Sequence, residues 1–259
     1  MSILLIEVVP QGMILGADRN ISERTQYSTL DGKTVIHNYG QSQHSKIFRW
    51  PKPQILVGYV GLSEIGTKPT DEWLFDFIGN SPKWNTLTEL AESLSHSMEK
   101  QLESDGGETR LLIIMIGGFE ERNGVMVPLL YEIRNYHAAG PKTYDDIRKE
   151  FAFIEVKWPV ENKELKDWIK QYADQYEPYW VHQGEDLGTF NAIEVMLRNA
   201  FRVLCIQEHP EHNFPQTLND WERQVRMAVL TYGAYFQAYK GPHEQLVGGG
   251  ADIVSIEWP

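Results

Sequence analysis

The order of elements along the chain predicts an α+β fold. It is a four-layer αββα sandwich: two antiparallel sheets face to face, with helices on both outer faces. Three observations lead there. The chain opens on a hairpin of two nearly continuous apolar runs. Strands and pairs of helices then follow in blocks, without the strand–helix alternation of a doubly wound parallel sheet. No internal repeat, low-complexity tract or linker divides the 259 residues, so 1–259 reads as one domain with enough chain to bury a large core.

The opening hairpin is Ser2-Ile-Leu-Leu-Ile-Glu-Val-Val9, then Pro10-Gln11-Gly12, then Met13-Ile-Leu-Gly-Ala-Asp18-Arg19. Aliphatic runs around a Pro-x-Gly turn signal paired strands. Their nearly continuous apolar character, interrupted by Glu7, predicts that at least one strand is covered on both faces. A strand starting at residue 2 leaves no room for a leader and ties the first residues into the core. Chain starts are usually loose, so this implies that something at the terminus is wanted in a fixed place.

The following stretch, Ile21 to Gly32, is polar and reads as turn-rich, with Asp31-Gly32 as a turn pair. Lys33 to His37 reads as a short strand and Asn38 to Ser45 as a loop. Lys46 to Trp50 alternates as a strand, ended by Pro51 and Pro53. Gln54 to Gly61 is a buried strand carrying glycines where backbones approach closely. Thr70 is placed to cap a helix with Trp73, Leu74, Phe77 and Ile78 on one stripe. Thr86-x-x-Glu89 is a capping box before a helix through Leu87, Leu90, Ala91, Leu94, Met98 and Leu102. Leu111 to Gly118 and Val125 to Ile133 form a second hairpin, with Glu120 to Gly124 as its turn. Phe151 to Trp158 is a shorter strand. Glu161 to Tyr172 has helical spacing, and Thr189 to Ile206 is a helix too apolar to be solvated. Thr217-x-x-Asp220 opens a helix to about Tyr239, and Ala251 to Trp258 closes as a strand.

Composition narrows the function. The chain carries 36 acidic against 24 basic residues, a net charge of -12, with no long basic block. That argues against nucleic-acid binding and against attraction to an anionic membrane. No window is long and apolar enough to span a bilayer. The single cysteine, Cys205, excludes an intramolecular disulfide framework and a cysteine-rich zinc site, and a cytoplasmic location fits. Eight tryptophans and twelve tyrosines suit a large core or an assembly interface.

One chemistry needs no histidine. If Met1 is removed, Ser2 carries a hydroxyl and a free α-amine whose ordinary pKa is about 7.7–8.0. That amine can act as base for its own hydroxyl, directly or through one water. It requires a rigid first strand, an ammonium nearby, and a carboxylate to place that ammonium. Lys46 and Asp18 are the candidates, with the glycines around Gly61 offering backbone N–H groups as an oxyanion site.

These residues resemble the proteasome-type, 20S beta-subunit-like branch of the N-terminal-nucleophile hydrolases. The likeness lies in the opening hairpin to Asp18-Arg19, in Lys46-Ile47-Phe48 followed by Ile55 to Leu62, in Gly117-Gly118-Phe119 with Leu130-Tyr131-Glu132-Ile133, and in Gly248-Gly249-Gly250-Ala-Asp252-Ile253-Val254. The resemblance implies the αββα sandwich and a threonine-type peptidase mechanism with Ser for Thr. Ser2 would be nucleophile and base, Asp18 and Lys46 the charge pair, and Gly61 the oxyanion donor. It implies no cofactor and no metal, a peptide or unfolded-protein substrate, and a homo-oligomer such as a stacked ring.

The chain also departs from that pattern. The Ser-Gly-Ser run before the third major helix is absent, Gly184-Glu-Asp-Leu-Gly188-Thr189 standing there. The Asp-x-x-Ser-Gly run has no clean match at His243 to Gly248. A second reading follows: a catalytically inactive scaffold subunit on the same fold. A third, metal-dependent reading rests on His209-x-x-His212, which falls in a Pro-flanked loop rather than on one helix face. Cys205 on its apolar helix reads as core rather than nucleophile.

Overall fold

A computed structural model describes residues 3–29, 32–41, 45–80, 84–104, 111–136, 147–174, 179–183, 195–197, 199–200, 217–239 and 250–259. Thirteen strands and four helices organise them: β1 (Leu4–Val9), β2 (Gly12–Asp18), β3 (Asn20–Thr29), β4 (Gly32–Gln41), β5 (Ile47–Pro51), β6 (Gln54–Gly61), the short β7 (Glu64–Ile65) and β8 (Lys68–Pro69), α1 (Thr70–Asn80), α2 (Leu87–Ser104), β9 (Leu112–Arg122), β10 (Val125–Tyr136), β11 (Ile147–Glu155), α3 (Asn162–Asp174), β12 (Tyr179–Gln183), α4 (Leu218–Tyr239) and β13 (Ala251–Glu257). The first sheet has the order β12-β1-β2-β13 and the second β11-β10-β9-β6-β5. All pairings in both are antiparallel.

The four layers follow from β1 and β2. Leu4, Ile6 and Val8 alternate with Ile3, Leu5 and Val9, and the two sets join different cores. The first set meets Met13, Leu15 and Ala17 and the second sheet. The other set meets Ile14 and, on α4, Trp221, Val225, Val229 and Tyr232. A strand with period-2 side chains and both faces covered reads as a nearly continuous apolar run, which is the pattern of residues 3–9 apart from the buried Glu7. On the far side of the second sheet, α2 packs over β9, β10 and β11. Leu74 and Ile78 of α1, with Leu87, Leu90, Ala91, Leu94 and Met98 of α2, are buried there.

Turns and caps mostly follow the sequence expectation. Pro10 and Gln11 form the two-residue loop between the paired Val9 and Gly12. The second hairpin is tighter than expected: β9 runs on to Arg122, and the turn is only Asn123-Gly124, both at positive φ (54° and 76°). Asn-Gly is suited to this turn, which needs two residues in the left-handed region. The Thr217–Asp220 box closes reciprocally, Asp220 N–H donating to Thr217 Oγ1 at 3.2 Å and Thr217 N–H to Asp220 Oδ2 at 3.0 Å. Thr86 caps Glu89 N–H at 3.1 Å, while Glu89 reaches back one residue further, to Asn85 N–H. Thr70 does start α1, but its hydroxyl donates to the Leu62 carbonyl at 2.8 Å and so ties the helix to the end of β6.

Three expectations are corrected. Residues 20–41 are not a turn-rich stretch with one short strand. They are a ladder of ten pairs, from Asn20↔Gln41 to Thr29↔Gly32. Thr, Tyr, Val and Ile favour strands even where few apolar residues betray them. The strand expected at Phe151–Trp158 begins earlier and is β11, because its pairing with β10 extends to Ile147. β12, which has no sequence signal beyond Tyr179-Trp180-Val181, is recruited by β1. Of the helix expected at Thr189–Ile206, residues 195–197 and 199–200 are described and helical, and Val195 and Met196 are exposed rather than core. Cys205 lies outside the described residues.

The layers touch through glycines. A Cβ on Gly58 would stand 2.6 Å from Leu4 Cδ1 and 3.0 Å from Ile47 Cγ2, and one on Gly16 would stand 2.6 Å from Val225 Cγ1 of α4. Overpacking a dense core costs about 1–3 kcal/mol. Gly58→Val is therefore expected to lower the unfolding free energy by about that amount in a urea titration, with an unchanged denaturant slope.

Candidate active site

Three segments meet at the candidate site: the start of β1, the end of β2 and the residue before β5. The register Leu4↔Ala17 brings residue 18 opposite residue 3. The Asp18 N–H donates to the Ile3 carbonyl at 3.4 Å, and the Ile3 N–H donates to Asp18 Oδ1 at 2.8 Å. Lys46 arrives from the other sheet. Its carbonyl accepts the Tyr59 N–H at 3.0 Å, which fixes it to β6. Its ammonium donates to the same Asp18 Oδ1 at 3.0 Å. Asp18 is 1% and Lys46 3% exposed.

A single carboxylate oxygen thus joins the Lys46 ammonium to the peptide nitrogen between residues 2 and 3. The two nitrogens stand no further apart than two hydrogen-bond lengths. Burial pulls the Lys46 pKa below its ordinary value; the Asp18 carboxylate opposes that shift, and Asp252 opposes it more weakly from further off.

Asp252 is the contribution that sequence reasoning did not single out. β13 pairs Ala251 with Asp18, so Asp252 follows directly beside the pair. Its Oδ1 accepts Arg19 Nε at 2.6 Å and its Oδ2 lies 2.9 Å from Ser45 Oγ. Ser45 also accepts the Ile47 N–H at 3.3 Å. The neighbours of both site residues, Arg19 and Ser45, are therefore held by one carboxylate. The motif Gly250-Ala251-Asp252 was visible in sequence. Its place beside Asp18 depends on a pairing between the two ends of the chain.

Gly61 sits at the end of β6 with φ +107°, a conformation that side chains disfavour. A Cβ there would also collide with the Leu111 carbonyl oxygen. Leu62 N–H donates to Leu111 at 3.0 Å and Tyr59 N–H to Lys46, so even-numbered N–H groups here point to β9 and odd-numbered ones to β5. The Gly61 N–H accordingly points to the Lys46 side, beyond the start of β5.

Of the four residues expected in the site, Asp18 and Lys46 are in contact, and Gly61 turns its N–H to the same side of β6. Ser2 lies outside the described residues, bonded to the Ile3 nitrogen that Asp18 holds. Gly184 to Thr189, His243 to Gly248, His209 and His212 also lie outside them. Among the described residues there is no group of three or more His, Cys, Asp or Glu that could hold a metal.

Two measurements check the pair. Removing one partner of a buried ion pair strands the other charge and costs about 3–5 kcal/mol. Asp18→Asn, which strands the Lys46 ammonium, is expected to lose that much in unfolding free energy, and Asp18→Asn combined with Lys46→Met to recover at least half of it. The pH dependence has a definite sign. The unfolded chain holds the Lys46 proton up to 10.5 and the folded chain releases it lower. Between those values the unfolded state binds more protons, so the lysine's destabilising contribution fades as pH rises. Urea midpoints measured across that window should rise in wild type relative to Lys46→Met.

No protein-family model matches the chain, and no curated protein does. Among solved structures it is similar to Anbu (ancestral beta-subunit) from Yersinia bercovieri, at 13% identity and a TM-score of 0.48, covering 98% of this chain and 81% of that one. It is similar also to a mutant Anbu from Hyphomicrobium sp. strain MC1, at 12% identity and a TM-score of 0.48, covering 99% and 82%. The likeness found is a distant one to Anbu structures, not one specific to 20S beta-subunits.

Proposed function

We propose that this chain is an N-terminal-nucleophile hydrolase of peptide or amide bonds, acting through Ser2 after removal of Met1. The observation that carries the reading is the sharing of Asp18 Oδ1 between the Lys46 ammonium and the Ile3 N–H. A buried ion pair is a poor device for stability alone. At this position it holds a positive charge beside the first residues of the chain, where it favours a neutral α-amine. In the proposed reaction the amine takes the Ser2 hydroxyl proton as the oxygen attacks the carbonyl carbon. The Gly61 N–H receives the oxyanion, the proton passes to the leaving amine, and water then cleaves the ester with the amine again as base. The resemblance read from the sequence adds a homo-oligomeric assembly working on peptides or unfolded chains, and the single cysteine fits a cytoplasmic location.

The scaffold reading asks less of the molecule, and the fold by itself favours it: it needs the sandwich and not Ser2. The missing Ser-Gly-Ser and Asp-x-x-Ser-Gly runs also support it. Intact mass separates the two. The hydrolase reading expects a chain lighter by one methionine, which takes up one peptide aldehyde or β-lactone per subunit on residue 2. Amide hydrolysis should fall by about a hundredfold or more in Ser2→Ala. Retained Met1, or a processed chain that takes up no probe, assigns it to the scaffold class.

A further inference from the structure

We propose that Asp252 is a positioning residue: through Ser45 and by its own charge it holds the Lys46 ammonium against Asp18. This rests on the hydrolase reading and adds a residue to its machinery. The strand that carries Asp252 is fixed from outside. On α4, Arg226 Nη1 donates to the Ala251 carbonyl at 2.9 Å, and Glu222 accepts the Ser255 hydroxyl. Side chains alternate along β13. Ala251 and Ile253 belong to the core under α4, and Val254 and Ile256 to the core between the sheets. Asp252 has the parity of the second pair. It stands opposite Ala17 of β2, so both face the other sheet.

The first hold on Lys46 is a tether. Asp252 Oδ2 lies 2.9 Å from Ser45 Oγ. A carboxylate has no proton to give, so the hydroxyl donates. Ser45 Oγ also stands 2.8 Å from the Ile47 carbonyl oxygen and accepts the Ile47 N–H at 3.3 Å. Ser45 thus bends the chain around Lys46, and Asp252 ties that bend to the first sheet. Lys46 is then held in three ways: by Ser45 before it, by its carbonyl on the Tyr59 N–H, and by its ammonium on Asp18. A site built on fixed elements keeps its geometry when each supporting side chain is itself bonded.

The second hold is charge. The Asp252 side chain is 19% exposed and that of Arg19 51%, with Arg19 Nε donating to Asp252 Oδ1 at 2.6 Å. Gly250, at φ +110°, lies against the arginine stem, where a Cβ would meet Arg19 Cδ at 3.5 Å, and its carbonyl accepts the Arg19 N–H at 3.3 Å. The guanidinium is so kept toward solvent, and the other carboxylate oxygen is left to the site. Among the described residues, burial drives the proton off Lys46, and Asp18 of β2 and, more weakly, Asp252 of β13 retain it. β6 presents the Tyr59 main chain to Lys46. From α1, Asp71, Glu72 and Asp76 line a cavity together with Ser45 and Ile47, and they are unchanged in every variant below. Arg19 offsets part of the Asp252 charge, so these two side chains pull the Lys46 proton in opposite directions.

The test uses the full, processed chain with carbon-13 at the lysine Cε positions. The Lys46 resonance is the one missing from Lys46→Met. Asp252→Asn keeps the shape and removes the charge, and should move the Lys46 titration down by about half a pH unit. Arg19→Gln, at an exposed position, should move it up by about as much. Ser45→Ala cuts the tether and no charge: it should leave the titration in place and lower kcat for a peptide coumaryl amide about tenfold at unchanged KM. A merely structural role for Asp252 moves no titration. Shifts of one sign in both charge variants, or none, overturn the proposal, and so does a Ser45→Ala kcat within about twofold of the unsubstituted chain. Hydrolysis whose alkaline limb stays put in both charge variants also sinks it and leaves the hydrolase reading. Opposite shifts in a chain that hydrolyses no amide uphold the hold of Asp252 on Lys46 and overturn the hydrolase reading.

Discussion

One carboxylate oxygen holds three parts of the chain together. Asp18 Oδ1 accepts the first N–H of β1, stands at the end of β2, and receives an ammonium delivered by the other sheet. Each bond constrains a different freedom. The Ile3 bond keeps the first strand from fraying at its open end. The Lys46 bond pins the sheets to each other among the buried Ile3, Ala17 and Ile47. Asp18 and Lys46 are buried, so neither charge has a cheap retreat into water. The geometry of the chain's first residues therefore depends on the packing of both sheets.

That packing is close because glycine stands where the layers meet. Gly58 admits Leu4 and Leu15 against β6, and Gly16 admits Val225 of α4. A bulkier residue at Gly58 would spread the sheets and lengthen the Lys46–Asp18 contact, and one at Gly16 would push α4 away from β2. Core density and charge geometry are thus one problem. Asp252 extends the same logic outward by holding Arg19 and Ser45, the neighbours of the two buried charges.

What the sequence disclosed, and what it hid, follows from the range of the forces involved. The β1–β2 hairpin was legible because a short turn fixes its register, and with it Asp18 opposite Ile3. Thr217–Asp220 was legible because a cap is local. Lys46 was legible as a strand start with a charge, although its partner was a guess about a distant pairing. β3 and most of β4 were hidden, since a polar ladder leaves no hydrophobic period; only Lys33–His37 of β4 read as a strand. β12 and Asp252 were hidden because only pairing across most of the chain gives them a place. Thr70 shows a subtler limit: its residue type announced a helix start, but its hydroxyl serves β6 instead.

The β3–β4 ribbon leaves the body just after Asp18 and returns just before Lys46. Its two roots are therefore clamped by the ion pair itself. Closing a loop whose ends are already held costs little extra as it lengthens, about 0.6 kcal/mol for each doubling. The ribbon is free to vary in length and surface while the carboxylate and the ammonium keep their places. In evolutionary terms, it is a part of the molecule where new sequence can be tried at little risk to the ion pair at its roots.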